Sequence, residues 1–435
     1  MRRKLEQYFE FEKLDTNWRT EVLAGATTFV TMAYIVFVNP SILHEAGMPF
    51  KAVVAATCFC AAFGSILMGV LARYPVALAP GMGLNAYFTY TVVKGMGVPW
   101  ESALGAVFIS GVAFLLLTLA GIRQLIVSAI PEELYAAVAV GIGLFIAFIG
   151  LRNAGVVAAS PATLVTIGNL RDPHTLLSLF GLVLIATLFA WRVRAAMLIG
   201  ILATAAAGAV FGLIHWSPET YRWSDMTASV LHLDVRGTLR LGFAEIIFVF
   251  LFVDLFDNVG TLVAVGKKAN LFDQANRIPR LNRILFADAT ATIAGALTGT
   301  STVVSYIESA AGVVAGGRSG VTAIVTGLLF AVALFVAPAV GFIPTAATAP
   351  ALIVVGSLMI AHVTEIPWDD PATALPAFLT LIAIPLTFSI ANGLALGFCA
   401  YAALKILRGR FREAGWPVYA LAALFALRFF YLGSG

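Results

Sequence analysis

Residues 248–265 read FVFLFVDLFDNVGTLVAV, and residues 301–317 read STVVSYIESAAGVVAGG. Both stretches are apolar enough to lie in a bilayer, yet the first holds Asp254 and Asp257 and the second holds Glu308. A charged acid at the bilayer centre costs ~2.5–3.5 kcal/mol even on insertion scales, so it is normally protonated, paired or engaged with a ligand. No Lys or Arg occurs between Arg240 and Lys267, or between Arg283 and Arg318. A cation on the same span is therefore excluded, which leaves a proton, a polar substrate or a bound cation as the partner. On that reading the chain is a transporter.

Composition agrees. The 435 residues are 60% hydrophobic and only 11% charged, with a mean hydropathy of +0.94, and no soluble class fits those values. A membrane-crossing helix needs about 20 mostly apolar residues. Fourteen candidate spans can be laid out, near 21–43, 52–72, 76–93, 101–121, 132–151, 175–192, 195–215, 243–266, 284–299, 302–316, 319–337, 346–362, 371–388 and 390–407. With the N-terminus placed inside, most of the 27 Lys and Arg residues fall on the cytoplasmic face of this layout, which predicts cytoplasmic N- and C-termini. The same topology signals account for the net charge of +4, so no nucleic-acid partner is expected.

The opening MRRKLEQYFEFEKL is charged throughout and lacks the apolar core of a cleaved signal peptide; it predicts an interfacial amphipathic helix. Residues 414–432 are apolar but carry Arg428, and predict an interfacial tail. Cys58, Cys60 and Cys399 all fall within spans and read as inert core thiols. The five His residues sit at span ends or in loops, poor places for a midplane proton carrier.

The two halves echo each other. FVTMAYIVFVNPSIL from Phe29 and FVFLFVDLFDNVGTL from Phe248 carry Asn39 and Asn258 at the same offset, and 48 residues further each half reaches a tyrosine, Tyr87 and Tyr306. Seven spans per half would set the halves in opposite orientations, the inverted repeat common among secondary transporters. The third span, LAPGMGLNAYFTY from Leu78, has Pro80, Gly81 and Gly83 at its middle, and the tenth, ALTGTSTVVSYIES from Ala296, has Gly299 before a Thr/Ser/Val run. Those residues weaken a helix and favour extended backbone, which membrane depth tolerates only where protein or a water-filled cavity covers it. Short β-strands are expected in both spans, with the binding site beside them. The ordinary alternative is a pair of kinked helices.

Asp254 and Asp257 lie three apart and share a helix face, so like-charge repulsion opposes their joint ionisation. Asp257 is the better ligand residue because Asn258-Val259-Gly260 follows it; Asp254 can equally be a protonated acid that only packs. Glu308 follows Tyr306 and Ile307, and its carboxyl can accept N–H bonds when ionised or donate when protonated. Asp288 reads as a structural acid near the cytoplasmic edge, capping or tethering a helix. Asn85, Tyr87 and Phe88 add an amide and aromatic faces, which in apolar spans are most often packing. Beside unpaired carboxylates they suit a flat, hydrogen-bonding heterocycle, and the lack of a midplane Arg argues against an anion.

Four motifs, GATTFVTMAYIVFVNP, APGMGLNAYF, DLFDNVGTLVAVGKKANL and YIESAAGVVAGGRSGVTAIVTGLLF, resemble those of the AzgA-like purine nucleobase permeases, within the nucleobase–cation (ascorbate) symporter group that includes the bacterial uracil permease. The resemblance covers essentially the whole chain. It implies an all-α membrane protein of fourteen spans in two inverted repeats, with a core domain from residues 1–121 and 242–338 and a gate domain from 122–241 and 339–435. It implies proton-coupled uptake of purine bases such as adenine, guanine and hypoxanthine by an elevator-like movement, in a homodimer in the bacterial inner membrane, with the proton as coupling ion and no other cofactor. It further implies that Asp257 and Glu308 contact the base, that Asn85 lines the pocket from span 3, and that Tyr306 and Ile307 form its wall; beside these, Ala86 and Tyr87 are read as further pocket residues, and Glu308, Asp257 and Asp254 as candidate proton carriers. Thr261 stands where uracil permease has a histidine. Two other classes stay open at this point: an ion channel or passive pore, and an anion transporter of the same fold.

Overall fold

The computed structural model describes residues 2–121, 131–214, 222–239, 243–269, 278–340 and 343–431. Most of the basic stretch between Lys267 and Arg283, and the closing Gly-Ser-Gly, lie outside the described residues or their side chains. The protein is a mostly helical multi-pass membrane protein. Each of the fourteen predicted stretches carries a helix or a strand–helix unit, and among the described residues eight helical stretches are long and apolar enough to cross a membrane.

In the first half the elements are α1 (Arg2–Tyr8), α2 (Trp18–Met32), α3 (Ile35–His44), α4 (Phe50–Leu67), β1 (Leu78–Pro80), α5 (Met82–Ala86), α6 (Trp100–Leu119), α7 (Glu132–Asn153), a hairpin of β2 (Val157–Ser160) and β3 (Leu164–Ile167), α8 (Pro173–Ala190) and α9 (Ala196–Val210). Two short turns, α10 (Trp223–Met226) and α11 (Val235–Thr238), precede α12 (Phe243–Ala269). Then follow α13 (Leu281–Thr298), β4 (Val303–Ser305), α14 (Ser309–Val314), α15 (Gly320–Val340), α16 (Thr345–Met359), α17 (Pro371–Leu386), α18 (Ile390–Leu407) and α19 (Trp416–Tyr431). The break between α2 and α3 falls at Ala33 and Tyr34, and α3 itself carries Pro40.

Both extended segments predicted in spans 3 and 10 are present, and they pair. β1 and β4 run antiparallel with Leu78 opposite Ser305, Ala79 opposite Val304 and Pro80 opposite Val303. The ladder is extended by Tyr306 N to Ala77 O at 3.0 Å and Gly81 N to Thr302 O at 2.9 Å. A two-stranded ribbon leaves its outer edges unpaired, and a buried backbone group without a partner is costly. Hydroxyls from the preceding helices close those edges. Ser65 of α4 accepts from Leu78 N at 2.9 Å and donates to Leu78 O at 3.1 Å. In the other half Thr292 of α13 accepts from Val303 N at 3.2 Å and donates to Val303 O at 2.9 Å.

The strong helix pairings fall into two groups. α15 packs on α2 and α4, and α13 packs on α4 and α6. Separately, α16 and α17 pack on α7, α17 on α18, and α8 on α9 and α16. The α4–α15 crossing is close because Gly327 lies against the Ala62 carbonyl, and just past α4 Gly69 lies against the Gly320 carbonyl, where a Cβ would collide with backbone; small residues at such contacts are how membrane helices approach. Between the groups runs a seam of aromatic rings from α12, α18 and α19: Phe252 and Phe256 have centroids 4.5 Å apart, Phe252 and Phe398 5.6 Å, and Phe248 and Phe425 5.5 Å.

The two terminal segments expected to lie at the interface both dock on protein. Phe9 and Phe11, after the short α1, are buried with Val321 and packed against Trp18, Ile324 and Val325. The C-terminal segment forms α19, and its Phe425 and Val418 are buried. Asp288 lies within α13 and is fully buried. It does tether helices, as its role was read. All three cysteines are free, Cys58 and Cys60 buried and Cys399 half-buried.

Candidate functional site

The β1–β4 crossing is where the acids meet. On α12, phenylalanines four residues apart (248, 252, 256) point into the aromatic seam, so the helical period turns Asp254, Asp257, Asn258 and Thr261 to the other side. Asp257 and Glu308 are both half-buried, with Asp257 close enough to feel the charge of Glu308 and Tyr306 in the field of both. A Cβ built on Gly81 would come 3.6 Å from Asp257 Oδ2 and 2.9 Å from Val304 Cγ2. Glycine at 81 therefore keeps the strand end close to the α12 acid.

Glu308 follows β4 directly and sits at the start of α14. Its Oε1 accepts a hydrogen bond from Tyr34 Oη at 2.6 Å, which joins the α2–α3 break to the start of α14. Tyr306 Oη donates to the Pro80 carbonyl at 2.6 Å, and so fixes the two strand ends to each other. Ile307 lies between them with 40% of its surface exposed. The result is a pair of carboxylates, one of them steadied by a phenol, beside irregular backbone in the protein interior. Such a pair can accept two ring N–H groups, and either acid can also hold a proton.

The other sequence-predicted residues fall behind this front. Asn85, Ala86 and Tyr87 are buried on α5 and the turn that follows. Asn85 Nδ2 donates to Asn39 Oδ1, and the Tyr87 ring meets Phe250 edge-on at 5.3 Å. Thr261 is buried one turn beyond Asp257. Asp254 turns away from Asp257: its Oδ1 accepts from Asn258 Nδ2 at 2.8 Å, and the same amide reaches Asp288 Oδ2 at 3.0 Å. Asn258 Oδ1 accepts from Ser305 N at 2.8 Å, so this amide ties α12, α13 and β4 together. Asn39 does the equivalent in the first half, donating to Thr57 at 2.7 Å and Thr300 at 2.9 Å while accepting from Asn85.

Sequence reasoning missed Tyr34 and the Pro80 carbonyl. Tyr34 stood in the first quoted motif, and a tyrosine inside a span needs a partner for its hydroxyl; which partner depends on a contact 274 residues away.

Comparison with known proteins agrees with this architecture. A family model described as Permease family matches residues 19–396. The adenine permease AdeP of Escherichia coli is 45% identical over 99% of this chain and 97% of its own length. The guanine/hypoxanthine permease PbuG of Bacillus subtilis is also 45% identical, over 98% of this chain and its full length. Among solved structures, the transmembrane domain of the cyanobacterial bicarbonate transporter BicA superposes with a TM-score of 0.68 at 14% identity, over 86% of this chain and 96% of that one, a likeness of fold. With four family motifs in order and matches spanning nearly the whole length, the chain belongs to the permease family, among its AzgA-like nucleobase permeases.

Proposed function

We propose that this nucleobase transporter imports purine bases in symport with protons. The observation that carries the reading is the Asp257–Glu308 pair at the β1–β4 crossing. In this account Asp257 accepts ring N–H groups, Glu308 exchanges a proton during the cycle, and Tyr34 and Tyr306 hold the geometry with Ile307 against the base. Asn85, Ala86 and Tyr87 back the span-3 side of the pocket, Thr261 closes it one turn along α12, and Asp254 tunes the α12 charge through Asn258. Adenine permeases and guanine/hypoxanthine permeases among the relatives support a purine over a pyrimidine.

The same reading takes the fourteen stretches as spans in two inverted repeats. Matched hydroxyl clamps at Ser65 and Thr292 and matched amides at Asn39 and Asn258 support it. Residues 1–121 and 242–338 form the core that carries the site, and 122–241 and 339–435 form the gate against which it slides; the two packing groups support that division. The protein is placed in the bacterial inner membrane with both termini cytoplasmic, as a homodimer in lipid.

Uptake of labelled adenine, guanine, hypoxanthine, xanthine and uracil in cells lacking their own permeases tests the proposal. Saturable purine uptake abolished by a protonophore is expected. Uptake of none of the purines, or non-saturable flux indifferent to the proton gradient, would replace it with a pore.

A further inference from the structure

Away from the carboxylate site, a second polar cluster joins the two packing groups at the ends of spans opposite the N-terminus. Glu45, just past α3, is its centre. Its Oε1 accepts from Tyr90 Oη at 2.8 Å and from Asn153 Nδ2 at 3.1 Å. Its Oε2 lies 2.6 Å from Lys94 Nζ and 3.9 Å from Arg152 Nη2. Asn153 Nδ2 also reaches Tyr90 Oη at 3.2 Å, and the Arg152 guanidinium stands 4.8 Å over the Tyr90 ring and 5.8 Å over that of Phe388. Thr91 Oγ1 donates to the Phe388 carbonyl at 2.6 Å.

Glu45, Tyr90, Thr91 and Lys94 belong to the group that carries the acids. Arg152, Asn153 and Phe388 belong to the other group. The contacts of Glu45 and Tyr90 with Asn153 and Arg152, and of Thr91 with Phe388, therefore cross between the groups, and sliding one group past the other breaks these together, while Glu45 keeps Tyr90 and Lys94 within its own group. Both sides of the cluster are built on unusual backbone. Tyr90, Thr91 and Lys94 lie in a nine-residue π-helical stretch, Tyr87–Gly95, a winding that is rare and recurs at functional sites. Phe388 holds φ +50°, which a bulky residue adopts only under constraint. The Tyr90 ring is 5% exposed and fills the seam, while Glu45, Lys94 and Arg152 are partly open to solvent. Pro80, at the acid site, lies ten residues earlier on the same broken span, roughly 15 Å at helical rise.

We propose that Glu45, Tyr90, Lys94, Arg152 and Asn153 form the outer gate of the transport pathway: made, they close the site to the face opposite the N-terminus, and they part once in each cycle. This rests on the two-body reading above. Glu45 is the key residue, because without its carboxylate two cations face each other over one ring and the closed state loses its attraction. Tyr90 is the plug, with its hydroxyl held from both bodies at once.

Thiol labelling reads the gate without any need for transport. The reporter is Ile307→Cys, beside Glu308 at the site, in a Cys399→Ser background, since Cys58 and Cys60 are buried. A membrane-impermeant maleimide is applied separately to each face of oriented vesicles. Labelling from the face opposite the N-terminus should be slow in the reporter protein and rise about fivefold or more in Glu45→Gln and in Asn153→Ala, because hydrogen bonds to a charged group are lost from one state only. Tyr90→Phe, which removes a hydroxyl and keeps the ring, should give a smaller rise. Unchanged labelling from that face in both Glu45→Gln and Asn153→Ala, in proteins that elute and melt like the reporter, would overturn the gate. Protection of the reporter by adenine or guanine is read in the same samples. If purines give no protection while the labelling still responds to Glu45→Gln, the substrate reading fails and the gate stands.

Discussion

Asn39 and Asn258 occupy the same place in the two halves of the chain, and each is a fully buried amide that ties its own span to the two that follow it. Their surroundings differ in chemistry. Asn39 is wired to neutral groups, the hydroxyls of Thr57 and Thr300 and the amide of Asn85. Asn258 is wired to acids, Asp254 and Asp288, and to the backbone of β4. On the proposed two-repeat reading, one scaffold is built twice and the chemistry is placed on one copy. The first half supplies β1 and the Tyr34 phenol; the second supplies every carboxylate of the site. The second-half amide should therefore matter to transport and stability together, and the first-half amide mainly to stability.

Asn258→Ala is expected to have the largest effect. It strips a donor from two buried acids and the acceptor from Ser305 N, for a loss of about 3 kcal/mol or more, and β4 loses its anchor beside Glu308. Thermal unfolding and purine uptake should both collapse; a variant that melts like the parent would show that Asn258 is not the hub described.

Asp257→Asn comes next. Folding should survive, while purine affinity drops about tenfold to a hundredfold, the ~1.5–3 kcal/mol of a hydrogen bond to a charged group. Purine-dependent thermal stabilisation of the purified protein decides it, and parental affinity would remove Asp257 from the site.

Asn39→Ala and Asn85→Ala sharpen the contrast. Each removes hydrogen bonds among neutral buried groups and should cost about 1–2 kcal/mol of stability, with the order of adenine, guanine and hypoxanthine as competitors unchanged. A reordered competition profile in Asn85→Ala alone would bring its amide into the pocket.

The smallest effect belongs to a solvated carboxylate. Asp370 accepts from Ala372 N at 3.2 Å at the start of α17 and from Arg408 at 2.6 Å, and these bonds hold its carboxyl below the usual range. A lowered folded-state pKa stabilises the protein above the ordinary carboxylate range, and the contribution disappears as pH falls through the lowered value. Asp370→Asn should therefore melt slightly below the parent at pH 7 and together with it in strong acid. A gap that persisted in acid would assign the loss to something other than the charge.

Much of this was legible in the sequence because membrane depth punishes polarity. The acids, the Pro80–Gly81 break and the β-prone run before Tyr306 stand out against an apolar background, and each marks a real feature of the crossing. What the sequence hid depends on partners far along the chain. Nothing near Tyr34 points to Glu308, and nothing near Asn258 points to Asp288 or Ser305 N, or near Asp257 to Gly81. Asp288 was read as an acid that caps or tethers a helix, but its partner Asn258, thirty residues earlier, was not visible in the sequence. The terminal segments were read as interfacial from their charge and apolar content alone; their packing on the protein through Phe9, Phe11 and Phe425 needed the fold to be seen.

The central claim is that the second-half acid pair both holds the base and carries the proton, and Glu308→Gln tests it most directly. Glutamine keeps the size and can still accept from Tyr34, but it has no proton to release. In reconstituted vesicles with an imposed pH gradient, the parent should accumulate purine uphill. Glu308→Gln should lose that accumulation while still exchanging internal for external purine. Undiminished uphill uptake by Glu308→Gln would contradict the account and move the coupling proton to another residue.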